Sequence, residues 1–419
     1  AVGLTVAAGE EILQLADALR EPRTREGPRV EDLSDELSSV VFAIYRRLVR
    51  LPLPVTSPHA EDRQEVAALW SSLSGLLEEQ QLAVVRLARQ FQTWALVELV
   101  CEESVVKASC DVKRSASLAR LASEIAIWVE GPDGWCNRIQ GFAIAHVSNS
   151  LRVSGELKAA DATFEEALRL WDSGSDADGL LDPGRLLDLK ASLRRDQRRC
   201  DEALALLEEA LRVGRCRARY LINKGFTLEA MADYERAVET LLEADPLIER
   251  EIQPRLWYTQ RFNLSVNYTH LGRFSEAAEL VQQVRALAAE LNDEVFLLRV
   301  TWLEGRIAAG LGRPEDARSL LAKARREFAA RDMGYDAALA LLEEAVLLLE
   351  ANRTAEVRTL TSGLAEVFES KGVHREALAA LQLFRQAAER EEATVELTRR
   401  ILAFLFRARL DQDLRFTAT

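Results

Sequence analysis

The sequence predicts an all-α protein, a right-handed superhelix of antiparallel helix pairs called an α-solenoid. Its composition favours helix almost everywhere, because Ala, Leu, Glu and Arg dominate the 419 residues and only 6% are aromatic. From about residue 61 to residue 410, apolar residues recur at the helical spacing i, i+3, i+4 and i+7. Short polar interruptions separate these segments at a nearly fixed period, as expected for repeated helical hairpins.

The segments are assigned in chain order. Residues 1–50 are predicted to form two helices joined by a charged turn, and three Pro in residues 51–60 indicate a linker. Residues 61–135 continue the helical pattern as a lead-in with one degenerate repeat. Residues 136–372 form six repeats, and residues 373–419 supply the capping helices that a solenoid needs at its end.

The repeat is defined by aligned interruptions, each a turn, then an acidic first helical turn, then a small or β-branched residue predicted to face inward. Those small positions are separated by 43, 34, 40, 40 and 40 residues, and they are Ala160, Ala203, Ala237, Ala277, Ala317 and Val357. Small residues let two helices approach to about 8–10 Å. The first, longer step contains residues 173–184, whose Gly, Ser and Asp predict an exposed and mobile insertion.

These repeats resemble the tetratricopeptide repeat (TPR), which has Gly at the tight turn and small and aromatic residues along the second helix. The positions that carry the resemblance include Gly155, Ala160, Phe164, Ala167, Gly225, Tyr234, Ala237, Ala244, Gly272, Phe274, Ala277, Gly305, Gly312, Ala317 and Ala324. Two departures are visible. The period of 40 exceeds the common 34, which implies helices longer by about one turn in total, and Arg198 stands where Gly is usual.

The order of segments is similar to that of large bacterial regulators with a repressor-type helix-turn-helix before a TPR array. The phrases that carry this likeness are RQFQTWALVELVCEES, LLDLKASLRRDQRRCDEAL, RFNLSVNYTHLGRFSEA and LRVTWLEGRIAAGLGR. The resemblance makes residues 1–50 the remnant of a helix-turn-helix domain whose recognition helix lies upstream of residue 1. This chain itself is expected not to bind nucleic acid directly, because its net charge is −13.

Sequence patterns for catalysis and cofactors are missing. The four His are scattered, the five Cys form no CxxC pair, and no phosphate-binding or nucleophile motif is present. We therefore expect no enzyme activity, cofactor or metal. Acidic pairs such as Glu343–Glu344 are interpreted as solvated helix faces. No apolar run approaches the roughly 18 residues of a membrane span, and a cytoplasmic location is predicted.

The first helix of each repeat is predicted to line a concave groove that binds a protein or peptide. Across the inward positions of five repeats, six Arg face one Asp and one Glu, a charge of +4 within a chain of −13. Arg suits carboxylates, Asn suits a peptide backbone and aromatic rings supply anchors, although any one of them could instead bridge to the next hairpin. The predicted binding residues are Asn149, Arg152, Arg185, Arg195, Arg219, Asn223, Phe226, Phe262, Asn263, Arg299, Trp302 and Arg306.

Two functions fit these observations. The first is the sensor and effector part of a cytosolic bacterial regulator, in which an acidic or C-terminal peptide in the groove changes the pitch of the superhelix. The alternative is an adaptor or scaffold subunit that recruits an enzyme such as a protease, without switching. The sequence leaves the identity of the partner and the oligomeric state open.

Overall fold

The structure is a computed structural model that describes residues 60–108, 110–132, 134–361, 375–390, 392–408 and 415–416. Within these ranges the regular elements are α-helices and short 3-10 helices, and no strand occurs. The predicted all-α class is confirmed. The described residues form two compact units, the first within residues 1–154 and 159–181 and the second within residues 155–158 and 182–419.

The first unit is a group of helices whose most extensive contacts join helices that are consecutive in the chain. Thr93 and Asp111 cap two of them, since the Thr93 side chain accepts a hydrogen bond from the Leu96 amide and the Asp111 carboxylate accepts one from the Arg114 amide. The helices are α1 (Val66–Ser74), α2 (Glu78–Leu87), α3 (Trp94–Lys107), α4 (Val112–Trp128), α5 (Trp135–Val153) and α6 (Leu157–Ser173), of which the start of α6 belongs to the second unit.

The second unit is an array of helix pairs. Each helix packs against the next in the chain, and the first helices of successive pairs also contact one another. The helices are α7 (Pro183–Asp196), α8 (Cys200–Val213), α9 (Arg217–Ala230), α10 (Tyr234–Ala244), α11 (Pro254–His270), α12 (Phe274–Glu290), α13 (Glu294–Gly310), α14 (Pro314–Ala330), α15 (Gly334–Glu350), α16 (Thr354–Leu360), α17 (Arg375–Glu389) and α18 (Val395–Ala408).

Helix length explains both repeat periods. Helices α7, α8 and α9 have 14 residues each and are joined by three-residue turns, which produces the 34-residue step. Helices α11 to α15 have 17 residues each with turns of the same length, which produces the last two 40-residue steps. In the first 40-residue step α10 has only 11 residues, and a longer connection to α11 makes up the difference. Each helix from α11 to α15 is therefore longer by nearly one turn. The prediction of about one extra turn for the whole pair was too small.

Seven turns of the second unit share one backbone geometry, whereas the turn between α8 and α9 does not. The middle residue of each of the seven has a φ between 50° and 72°, and these residues are Arg198, Ala232, Gly272, Asn292, Gly312, Asp332 and Asn352. The next amide bonds back to a helix carbonyl, as from Arg273 N to Tyr268 O at 2.9 Å, which is the Schellman arrangement that ends a helix. Arg198 thus occupies the left-handed position that Gly holds in other turns.

Close packing between paired helices depends on the small residues. The predicted inward positions are 0–1% exposed at Ala160, Ala203, Ala237, Ala277, Ala317 and Val357. A Cβ added to Gly225 would lie 2.8 Å from Leu241 Cγ, and one added to Gly305 would lie 2.9 Å from Leu321 Cγ. These two glycines therefore let the first helix of the pair approach the second.

The predicted insertion is only partly exposed. Residues 177–179 are exposed, whereas Leu180 and Leu181 are 6% and 1% exposed. The Asp176 carboxylate accepts hydrogen bonds from the amides of both leucines, each at 2.9 Å. The prediction of a wholly exposed segment was wrong, because two apolar residues after the Gly and Asp cluster bury their side chains.

The predicted domain bounds stay a prediction. The segment 1–50 and almost all of the linker 51–60 lie outside the described residues, and so does the region in which a helix-turn-helix remnant was predicted.

Candidate functional site

The predicted binding residues lie on first helices of both units. Asn149 and Arg152 are on α5 in the first unit, where the Asn149 side-chain oxygen accepts hydrogen bonds from Arg152 Nε at 3.1 Å and Nη2 at 2.9 Å. The other ten are on α7, α9, α11 and α13 in the second unit. We call the surface formed by these ten residues, together with Glu343 of α15, the first-helix face.

At its α7 end, the first-helix face contains a buried cluster of polar side chains. Arg185 Nη1 lies 2.9 Å from Asp188 Oδ2, and the two side chains are 6% and 1% exposed. The other carboxylate oxygen of Asp188 accepts a hydrogen bond from the side chain of Asn223 on α9. Arg185 and Asn223 therefore connect two first helices through Asp188.

A second set of contacts joins α7 to α9 and α9 to α11. The Arg195 guanidinium lies 4.3 Å from the centre of the Phe226 ring, a cation–π contact. Asn267 is fully buried, and its Nδ2 donates to Glu229 at 2.9 Å and to the Asn263 carbonyl at 2.8 Å. Asn267, which was not among the predicted residues, is therefore the amide that bridges these helices.

The α13–α15 end of the first-helix face contains a buried ion pair. Trp302 Nε1 donates to Glu343 Oε2 at 2.6 Å, and Arg306 Nε lies 3.1 Å from Glu343 Oε1. Burial raises the pKa of Glu343 to about 7, although Arg306 and Trp302 act in the opposite direction. The Glu343 carboxyl thus holds two of the predicted binding residues in place.

The interpretation of Glu343–Glu344 as a solvated pair was wrong. Both side chains are 10% exposed, and Glu344 pairs with Arg325 of α14 at 3.4 Å. A signal for Glu343 was present, because it lies 80 residues after Asn263 and 120 residues after Asn223, both multiples of the 40-residue period. The groove positions were read only from the first five repeats, and α15 begins the sixth.

Aromatic rings cover much of the same face. His270 stacks on Tyr234 with ring centres 4.4 Å apart, and Phe262 stacks on Tyr258 at 5.7 Å. Burial, and to a smaller extent the charge of Arg306, lowers the pKa of His270 to about 3, so its imidazole is neutral at pH 7.

The end of α18 lies against the first-helix face. The Phe406 ring is centred 6.2 Å from the rings of both His270 and Trp302, and it lies 5.5 Å from the guanidinium of Arg306. The carbonyl of Arg407 accepts a hydrogen bond from Arg198 in the turn between α7 and α8. The sequence pattern gave no sign of this contact.

Several predicted residues remain partly accessible. Arg219, Phe226, Phe262, Asn263 and Arg299 are each half-buried. The side-chain amide of Asn263 has no hydrogen bond to any described residue, whereas Asn223 and Asn267 are both bonded. The part of the first-helix face that is open to a ligand is therefore centred on α9, α11 and α13.

Two other kinds of site do not occur within the described ranges. No group of three or more His, Cys, Asp or Glu residues there is placed to hold a metal ion. Among the same residues, no helix combines the length and apolar character needed to cross a membrane.

Comparison with known proteins gives a structural likeness only. No protein-family model and no curated protein matches the chain. The fold is similar to the crystal structure of a Rap protein complexed with competence and sporulation factor, with a TM-score of 0.51 and 11% identity over 75% of this chain and 87% of that one. The apo form of RapI aligns with a TM-score of 0.49 and 13% identity over 83% and 98%. The first likeness supports a TPR-type array of helix pairs.

Proposed function

We propose that the chain is a non-enzymatic peptide- or protein-binding module that serves as the sensor and effector part of a cytosolic bacterial regulator. The observation that carries this proposal is the accessible centre of the first-helix face, to which α9, α11 and α13 contribute half-buried basic, amide and aromatic side chains. The fold is similar to that of a Rap protein that was crystallised with competence and sporulation factor, and this likeness supports a ligand-binding role for the chain.

The chemistry of this centre favours a ligand with carboxylates. Arg219 and Arg299 offer guanidinium forks that pair with carboxylates through two hydrogen bonds. The free amide of Asn263 has one donor group and one acceptor, which match the carbonyl and the N–H of a peptide backbone. Phe226 on α9 and Phe262 on α11 supply apolar surface on the same helices as Arg219 and Asn263.

The proposal is tested with random peptides displayed on phage and selected on the purified chain. Selected peptides are labelled, and their dissociation constants are measured by fluorescence anisotropy. Replacing Arg219→Glu together with Arg299→Glu should abolish binding without loss of fold, because partly exposed charges contribute only about 0–1 kcal/mol per pair to stability.

A matched control carries the same change in charge elsewhere. Arg212→Glu with Arg326→Glu alters two exposed residues on the second helices α8 and α14, and it should bind like the unaltered chain. If the variant with Arg219→Glu and Arg299→Glu bound the peptides as tightly as the unaltered chain, the functional surface would lie outside the first-helix face. That result would favour the adaptor or scaffold function.

The sensor role has a separate readout. Peptide binding should alter amide hydrogen exchange in helices of the second unit that do not contact the peptide, because a sensor must shift between two conformations. If the peptide slowed amide exchange only in the helices that it contacts, the chain would be a binding module that does not switch conformation.

A further inference from the structure

The end of α18 fills an aromatic site on the first-helix face. Around the Phe406 ring are His270 on α11 and Trp302 and Arg306 on α13, at the distances given above. Glu343 holds both Trp302 and Arg306 in position, so their side chains are preorganised to contact a ring. The guanidinium of Arg306 lies 5.5 Å from the centre of the Phe406 ring and adds a cation–π attraction.

The contact also has a polar component. Phe406 is followed by Arg407, whose main-chain carbonyl accepts the hydrogen bond from Arg198. An aromatic side chain followed by an acceptor oxygen is therefore the chemical pattern that the site recognises. A carboxylate in place of that neutral carbonyl would bind Arg198 more strongly, because hydrogen bonds to an ionised acceptor are about twice as strong.

We propose that this place is a subsite for a peptide whose next-to-last residue is aromatic and whose C-terminal carboxylate pairs with Arg198. The last turn of α18 occupies the subsite as an internal competitor, and the ligand displaces the Phe406 ring from it. The assignment of a peptide ligand rests on the proposed function, and the aromatic subsite itself rests on the contacts of Phe406.

The packing of α18 allows this exchange. Ile401, Phe404 and Leu405 are 0%, 2% and 0% exposed within the core of the second unit, so the body of the helix stays anchored. Phe406 is only half-buried and Arg407 is exposed. Ala408 is also fully buried in this core. Displacing the Phe406 ring while Ala408 stays in place therefore costs the ring contacts and the hydrogen bond from Arg198 to the Arg407 carbonyl.

The experiment uses the full chain with Phe406→Ala and a defined probe. The probe is the acetylated tripeptide Leu-Phe-Arg with a free C-terminal carboxylate, which copies residues 405–407. Calorimetric titration should show at least tenfold tighter binding to the variant than to the unaltered chain, because a competitor in the same chain has a high local concentration. The amidated tripeptide should bind several-fold more weakly, and acetylated Leu-Ala-Arg should not bind measurably.

A matched control separates this site from any new cavity in α18. Leu402→Ala removes a large side chain from the same helix at a half-buried position that packs on the core, and it should bind the tripeptide no better than the unaltered chain. If Phe406→Ala is poorly folded by circular dichroism, Phe406→Leu removes the ring with a smaller change in volume and should also bind more tightly.

The outcomes distinguish the two proposals. Equal binding by all variants, or equal binding of the Phe and Ala tripeptides, would overturn the aromatic subsite and leave the selected-peptide results intact. Binding of the Phe tripeptide to Phe406→Ala, with no selected peptide dependent on Arg219 and Arg299, would support the subsite and refute the proposed function as stated.

Discussion

Glu343 shows at the scale of one residue how burial changes chemistry. Its pKa rises from an ordinary value of 4.5 to about 7, so at pH 6 the carboxyl is protonated in the folded chain and ionised in the unfolded chain. The folded state then binds more protons, and its stability falls as the pH rises from about 5 to about 8.

Glu343→Gln should remove this part of the pH dependence. The unaltered chain should lose about 2 kcal/mol more than the variant between pH 5 and pH 8, since one pKa unit corresponds to about 1.4 kcal/mol. Urea unfolding at several pH values measures the difference. Glu350→Gln, on the same helix but exposed, is the control and should follow the unaltered chain. If the free energy of unfolding of both variants depended on pH in the same way as that of the unaltered chain, Glu343 would already be ionised at pH 5.

The turn residues allow a test of backbone strain without a change in side-chain contacts. Ala232 has a φ of 61° and Gly272 has a φ of 72° in equivalent turns. A Cβ added to Gly272 has nothing within 4 Å. Gly272→Ala should therefore lower the free energy of unfolding by about 1 kcal/mol through the backbone alone, and Ala232→Gly should raise it by up to about 1 kcal/mol. The free energies of unfolding are measured with denaturant. If both substitutions changed this free energy in the same direction, the explanation would be contradicted.

At the scale of the helix pair, close approach depends on Gly225. A Cβ there would lie 2.8 Å from Leu241 Cγ, and Leu241 is fully buried. Gly225→Ala should destabilise the chain by about 1–3 kcal/mol, in spite of the better helix propensity of Ala. Lys224→Ala on the same turn of α9 is the control for propensity. A melting temperature unchanged by Gly225→Ala would show that α9 and α10 are not closely packed.

The sequence was sufficient to predict the helices and their repeat period, because apolar spacing and turn residues are local signals. It was insufficient for the partners of individual side chains. Glu343 appeared to be a surface acid because its partners, Trp302 and Arg306, are about 40 residues away. Phe406 appeared to be an ordinary residue of a capping helix, since no periodicity connects α18 with α11 and α13. Leu180 was hidden within a segment whose Gly, Ser and Asp predict exposure.

At the scale of the whole molecule, the net charge of −13 does not describe the proposed binding surface. The +4 predicted for the groove fell on side chains that are largely paired, such as Arg185 with Asp188 and Arg306 with Glu343. The predicted charge of +4 is therefore not a measure of the positive charge that a ligand meets on the first-helix face.

The 40-residue register predicts that one helix pair can be removed. Deleting residues 273–312 joins Gly272 to Arg313, and the new junction reads Leu-Gly-Arg, as both original turns do. The shortened chain should remain helical and melt cooperatively. Deleting residues 273–292 instead would put α13, a first helix, in the place of a second helix, and that chain should fail to fold. Circular dichroism of both deletions measures this, and equal helicity would show that register is unimportant.

The same junction has a consequence for how such an array is inherited. Because Leu271–Arg273 and Leu311–Arg313 are the same tripeptide in the same backbone geometry, unequal recombination between the two places would lengthen or shorten the array by one whole pair. The junction would keep a turn sequence that the chain already contains. The number of repeats is thus a quantity on which natural selection can act separately from the packing within each repeat.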